Sequence, residues 1–204
     1  MLDQWFRALP HDLVVIRVLV ALVQEEEWDF SVKEDLLMSP DLGVSTADPT
    51  EFLFAHNDQG LYLAARCHVR ADHPVVAEVT DRDGAVHRED CVGWFLSPAD
   101  SVLYQIYVNP NGVIFDGRGS IDPDGVNMDY NWNGEYEVAS RRADDHWAIE
   151  LFVPFETIGV GKGSVLSTLK LNMRRKQRSL ETAADWMPVD FDPTMMGRLD
   201  LRRQ

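Results

Sequence analysis

Cysteine is scarce. The 204-residue chain has only Cys67 and Cys91, with no CxxC spacing. That excludes a disulfide framework and a zinc ribbon. Each cysteine lies in a strand-like run, so both read as buried free thiols, bridged only if their strands are neighbours. Positive charge is also short: 19 Lys and Arg stand against 34 Asp and Glu, a formal net charge of -15. Such a surface repels phosphate, which argues against nonspecific nucleic-acid binding and anionic membranes. Long apolar runs are missing. Leu13 to Val23 is apolar except for Arg17, and is too short to span a bilayer. The first ten residues carry Asp3 and one basic residue, Arg7, and read as no secretory signal. The default expectation is the cytoplasm, or the outside if a leader has been removed.

Catalytic signatures are absent too. No glycine-rich turn opens a helix to hold phosphate, and no GxSxG, HExxH or Cys/His cluster occurs. The six histidines are scattered and read as surface or packed residues. Carboxylates abound, but no pair stands out as acid and base, so glycosidase chemistry is not expected. The protein is read as a non-enzyme.

What is present is a series of short strands, centred on Ser101 to Phe155. Val102 to Val108 and Trp147 to Val153 are rich in β-branched and aromatic residues on a period of two. In Asn109-Pro-Asn-Gly112, Pro presets φ and Gly supplies positive φ, which predicts a turn. Thr50 to Ala55 and Leu61 to Val69 predict a hairpin around His56 to Gly60, with Leu61, Leu63, Ala65 and Cys67 on one face. Val75 to Val79, Cys91 to Leu96, Tyr136 to Arg141, Leu169 to Arg174 and Gly197 to Leu201 are further strand candidates. Asp116 to Asn133 reads as one long loop, and Lys176 to Met187 as a polar loop. Many short strands joined by Gly, Pro and Asp turns predict an all-β antiparallel sandwich over 28–204. Residues 1–27 form an appendage that reads as strand or helix. Its apolar stretch, 13–23, would be an association surface between copies if exposed.

Two loops place oxygen ligands near glycines: Asp116-Gly-Arg-Gly-Ser-Ile-Asp-Pro-Asp-Gly125 and Asp81-Arg-Asp-Gly84. Asp116, Asp122 and Asp124 are the candidate calcium ligands, against the plainer reading that Asp and Gly simply form turns. Among the tryptophans, Trp94, Trp132 and Trp147 sit in or beside strands and read as core. Trp186 follows a polar loop and reads either as a rim platform or as a plug at the sandwich end. A rim indole suits the apolar C–H face of a pyranose, whose hydroxyls seek amides, Arg and carboxylates. Asn109, Asn172, Arg174 and Arg175 are candidate polar partners.

These motifs, in order, resemble the family 9 carbohydrate-binding modules and the wider CBM9-like, DOMON-like β-sandwich group. The resemblance runs from about Asp48 to Leu201. It rests on Gly60-Leu-Tyr-Leu-Ala-Ala-Arg66, Asp90-Cys-Val-Gly-Trp-Phe-Leu-Ser-Pro98, Tyr104-Gln-Ile-Tyr-Val-Asn-Pro-Asn-Gly112 and Trp147-Ala-Ile-Glu-Leu-Phe-Val-Pro-Phe155, followed by Leu171-Asn-Met-Arg-Arg175, Trp186-Met-Pro188 and Gly197-Arg-Leu-Asp-Leu201. It implies non-catalytic carbohydrate binding, with structural calcium in known members. Sugar-binding members clamp a glycan end between two tryptophans. Trp186 matches the second; His87 falls where the first would be. Gly93 replaces an acidic contact, Tyr107 replaces an arginine, and Asn109 keeps an amide. The expected contacts are therefore Trp186, His87, Tyr107, Asn109, Asn172 and Arg175. Two alternatives stand beside this reading. One is an interaction domain with a degenerate sugar site; the other is a haem-binding DOMON-like domain using Met128 and His87 as an axial pair.

Overall fold

The computed structural model describes residues 14–18, 48–161, 168–187, 192–193 and 196–201. Twelve strands fall in it: β1 (Val14–Val18), β2 (Thr50–His56), β3 (Gly60–His68), β4 (Cys91–Ser97), β5 (Val102–Val108), β6 (Ile114–Asp122), β7 (Gly125–Asp129), β8 (Glu137–Arg142), β9 (His146–Pro154), β10 (Thr168–Gln177), β11 (Thr182–Asp185) and β12 (Gly197–Asp200). They make two sheets. Sheet A runs β1-β2-β3-β9-β8; sheet B runs β11-β10-β4-β5-β6-β7, with β12 also pairing with β10. The pairings are antiparallel.

Alternation explains the layering. Phe52 and Phe54, then Leu61, Leu63, Ala65 and Cys67, then Trp147, Ile149, Leu151 and Val153 form the inner face of sheet A. Val92, Trp94 and Leu96, Tyr104, Ile106 and Val108, with Leu169, Leu171 and Met173, answer from sheet B. A face that alternates at period two must be buried on one side, so two such faces seal each other. Phe52 and Trp94 meet edge-to-face across the interior, centroids 6.0 Å apart at 88°. Cys67 and Cys91 are free and buried on different sheets.

The structure departs from the expected elements in three places. Val75 to Val79 is not a strand. It is an extended segment whose Val76 N–H is accepted by Asp90, and whose Glu78 and Val79 N–H groups are accepted by Glu89, so carboxylates take the place of a neighbouring strand. Asp116 to Asn133 is not one loop: it holds β6, a tip at Pro123–Asp124, and β7. Lys176 to Met187 contains the end of β10, a 3₁₀ turn at Arg178–Leu180, and β11. The Asn109 turn forms as expected, with Gly112 at φ +77 and its N–H bonded to the Asn109 carbonyl. Of the apolar stretch 13–23, residues 14–18 are strand β1 against β2, and the rest lies outside the described residues, as do most of 1–27.

Candidate functional site

Sheet A packs against one face of sheet B, which leaves the other face open to a ligand. Register assigns that outer face. Gly93 pairs with both Tyr107 and Arg174, Gln105 with Gly117, Tyr107 with Phe115, and Gly119 with Met128. Directly opposed residues share a face, so this row runs from β10 to β7.

At the β10–β11–β4 end the face is filled. Gly93 leaves a gap that the Tyr107 ring occupies: a Cβ at position 93 would lie 2.6 Å from that ring. Tyr107 is 3 % exposed and stands edge-on to Phe95, centroids 5.8 Å apart at 88°. Arg174 donates to the Tyr107 hydroxyl at 3.3 Å and holds Asp185 with two bonds of 2.6 and 2.8 Å. Its guanidinium also lies 5.5 Å from the Phe95 centroid. Burial pushes the Tyr107 phenol up to about 12. Met196 packs into the same small cluster.

At the β6–β7 end the face is open. The Tyr130 ring lies over Gly117, where a Cβ would come within 2.8 Å of it. It is stacked with Phe115 at 5.3 Å and 26°, yet is 44 % exposed. Phe115 continues to His87, centroids 4.8 Å apart. His87 is half-buried on the 3₁₀ turn Val86–Arg88. Burial, with the nearby charges of Lys176 and Arg88, holds its imidazole below the usual range.

The expected contacts therefore separate. His87 and Tyr107 lie on the outer face, Tyr107 buried and His87 half-buried. Asn172 is buried and clamps the backbone of Met187, donating to its carbonyl at 3.0 Å and accepting from its N–H at 2.9 Å. Asn109 is fully buried. Its amide donates to Val79 and Glu89 and accepts from Asn111 and Val113, so it shapes a turn and is closed to a ligand. Arg175 is corrected by parity. It follows Leu171 and Met173 on the inner face and is fully buried, its guanidinium 4.5 Å from the Trp147 ring and 3.5 Å from Asp90. Arg174, one residue earlier, is the arginine on the outer face.

Trp186 is half-buried. It follows β11 at the level of Met173, to whose carbonyl its N–H bonds at 2.9 Å. Its indole lies against Gly197, so close that a Cβ there would sit 2.0 Å from the ring. β11 and β12 share one edge of β10, and the indole seals the junction between them while packing on the main core.

Nor are the candidate calcium ligands brought together. Asp116 is fully buried mid-strand, one oxygen bonded to Arg82 at 2.9 Å and the other accepting from Gly134 N–H and Tyr136. Asp122 accepts the Asp124 N–H at the exposed hairpin tip. Among the described residues no three His, Cys, Asp or Glu side chains gather as a metal cage. Met128 lies over Gly119 and reaches Gly117 with its methyl, and His87 lies beside Phe115 on the same outer face.

Phe115, Gln105 and Tyr130 were not singled out by sequence reasoning. The signal was there: Phe115-x-Gly117-x-Gly119 and Met128-x-Tyr130 alternate on either side of a Pro-Asp-Gly tip, which is a hairpin pattern.

No family model and no curated protein matches the sequence. Solved structures do match. A proposed carbohydrate-binding protein from Bacteroides uniformis aligns over 98 % of this chain and 90 % of its own, at 17 % identity and a TM-score of 0.65. Two structures of a family 9 carbohydrate-binding module from Caldicellulosiruptor kristjanssonii align over 79 % of this chain at 13 % identity. The complex with cellotriose covers 78 % of that chain with a TM-score of 0.55; the complex with glucose covers 80 % with 0.57. The fold is CBM9-like. In this CBM9-like frame the aromatic surface left open lies on β6 and β7, away from Trp186.

Proposed function

We propose that the protein binds carbohydrate without catalysis, on the outer face of sheet B, using the Phe115–Tyr130 strip as its platform. The observation that carries this reading is the exposure of Tyr130, whose ring is stacked with Phe115 and so held in place. A ring fixed in this way with its free face in solvent offers a flat apolar surface, which matches the C–H face of a pyranose. His87 extends the surface, and Gln105, bonded weakly to the Tyr130 hydroxyl at 3.5 Å, borders it. Solved structures of the same fold hold cellotriose and glucose, which supports a saccharide as the ligand class. The carboxylate at the β11 edge, Asp185, is fully buried and accepts two hydrogen bonds from Arg174, so it is not set up as a free base.

The test is a glycan array followed by calorimetric titration of the best hit, comparing wild type with Tyr130→Ala and Trp186→Ala. Loss of binding in Tyr130→Ala, with Trp186→Ala retaining it, is expected. Equal affinity of Tyr130→Ala and wild type for every sugar bound would remove the strip from the site. Loss in Trp186→Ala alone would return the platform to that indole.

A further inference from the structure

The β6–β7 hairpin has a second face. β7 is the last strand of sheet B and β8 the last of sheet A. On the side turned toward sheet A, register sets Ser120 opposite both Val102 and Asn127, and Arg118 opposite both Tyr104 and Asp129. A cleft of about 260 Å³ opens there, lined by Ser101, Arg118, Ser120, Asn127, Asp129 and Trp132. Its volume lies below the range for drug-sized ligands and suits one small ring.

The lining is chemically specific. Trp132 is half-buried and braced by Tyr104, centroids 5.3 Å apart at 58°. Arg118 only donates and Asp129 only accepts. Cross-strand partners lie about 5 Å apart at Cβ, yet these two form no ion pair among the described residues. Asp129 gives one oxygen to the Asn131 N–H at 2.9 Å. Arg118, Ser120 and Asn127 make no side-chain hydrogen bond among the described residues. In a chain with 34 acids and 19 Lys and Arg, the Arg118 guanidinium has no ion-pair partner among the described residues, which leaves its donors available to a ligand. A donor and an acceptor facing the same small space match a vicinal pair of hydroxyls.

We propose that this cleft is a binding site for a single neutral sugar residue. Trp132 meets the C–H face, Arg118 donates to one hydroxyl while Asp129 accepts from its neighbour, and Asn127 and Ser120 take the remaining polar groups. The site is independent of the Phe115–Tyr130 strip, which lies on the opposite face of the same two strands. A carboxylated sugar would meet Arg118 but also Asp129 and the field of a chain with net charge -15, and is expected to bind less well.

The test is nitrogen-15 NMR titration of the full chain with glucose, galactose, mannose and glucuronate, each to tens of millimolar. At least one neutral sugar is expected to shift the Trp132 indole N–H and the Arg118 and Asn127 amides in a saturable way. Arg118→Gln should weaken that binding about tenfold, Asn127→Ala should weaken it less, and Tyr130→Ala should leave it unchanged. Glucuronate should bind more weakly than glucose. Both cleft variants change exposed side chains, so their folding is checked by the same spectra. No saturable shift at these groups with any neutral sugar overturns the proposal. So does an unchanged affinity in Arg118→Gln, or tighter binding of glucuronate.

Discussion

The two ends of sheet B's outer face have the same backbone and alternation, yet opposite characters. At the β10–β11–β4 end, Asn172, Phe95, Tyr107 and Asp185 are all 3 % exposed or less. At the β6–β7 end, Tyr130 is 44 % exposed, and Phe115, Ile121, Val126 and Met128 are only partly covered. Glycines lie beneath aromatic rings at both ends, so small residues do not explain the difference. Polar closure does. Tyr107 reaches a guanidinium that is itself locked to a buried carboxylate. The Tyr130 hydroxyl has only a 3.5 Å contact with Gln105, outside the usual O–H···O range. One end has become structure, and the other keeps the properties of a binding surface.

If that contrast is right, substitutions at the closed end change stability and those at the open end change affinity. The largest effect is expected from Arg174→Ala. It removes both Arg174 hydrogen bonds to Asp185, which is fully buried, and breaking a buried pair by removing one partner typically costs about 3–5 kcal/mol. Urea unfolding should show a lower midpoint with an unchanged slope. A loss under about 1 kcal/mol would mean that the pair behaves as a surface bridge and that the closed end is open to water. Next is Gly93→Ala. Its methyl would meet the Tyr107 ring 2.6 Å away, and overpacking of this kind costs about 1–3 kcal/mol. The double variant Gly93→Ala/Tyr107→Ala should lose less than the sum of the two single variants, and that coupling would tie the clash to the ring.

Much of the architecture could be read in advance, because burial follows alternation. Leu61, Leu63, Ala65 and Cys67, and Trp147, Ile149, Leu151 and Val153, all face the interior as their period predicts. Site residues were harder, and for one physical reason. A one-residue error on a strand reverses the face. Arg174 and Arg175 are equally polar in sequence, yet only the first lies on the outer face. Alternation with Leu171 and Met173 was the available cue, and it assigns Arg175 to the core. Trp186 could not be placed from its neighbours in sequence, since its ring is held by Gly197, across β10's edge. The β6–β7 hairpin was hidden by its Gly, Asp and Asn content, which is turn chemistry by composition but here flanks and floors a two-stranded ribbon.

The open end gives the next prediction. Tyr130→Ala should lower affinity for a bound saccharide about tenfold, or about 1.4 kcal/mol, while unfolding free energy changes by less than about 0.5 kcal/mol. A stability loss matching that at Gly93 would show that Tyr130 is also structural and would erase the distinction between the ends.

At neutral pH the smallest effect belongs to Tyr107→Phe. It removes only the acceptor of a 3.3 Å bond from Arg174, worth about 0.5–1.5 kcal/mol. The sharper signature lies at alkaline pH. Burial raises the phenol to about 12, above the unfolded value of about 10. A group whose pKa is raised on folding contributes stability fully present below the unfolded value. That stability is lost as pH climbs through the folded one, because the unfolded chain gives up its proton first. Wild type should therefore lose stability between about pH 10 and 12 in a way that Tyr107→Phe does not share. The gap between the two proteins, measured by urea unfolding at neutral pH and at successive alkaline steps, should narrow and then reverse. The Cys67 thiol, raised by burial to about 11, titrates in both proteins and cancels in the difference, whereas the Cys91 thiol, raised by burial to about 12, lies close enough for its charge to raise the Tyr107 phenol and adds to the difference. A gap that stays constant with pH would mean that the Tyr107 hydroxyl is as well hydrated as an exposed phenol. In that case the closed end of the face would be no more closed than the open one.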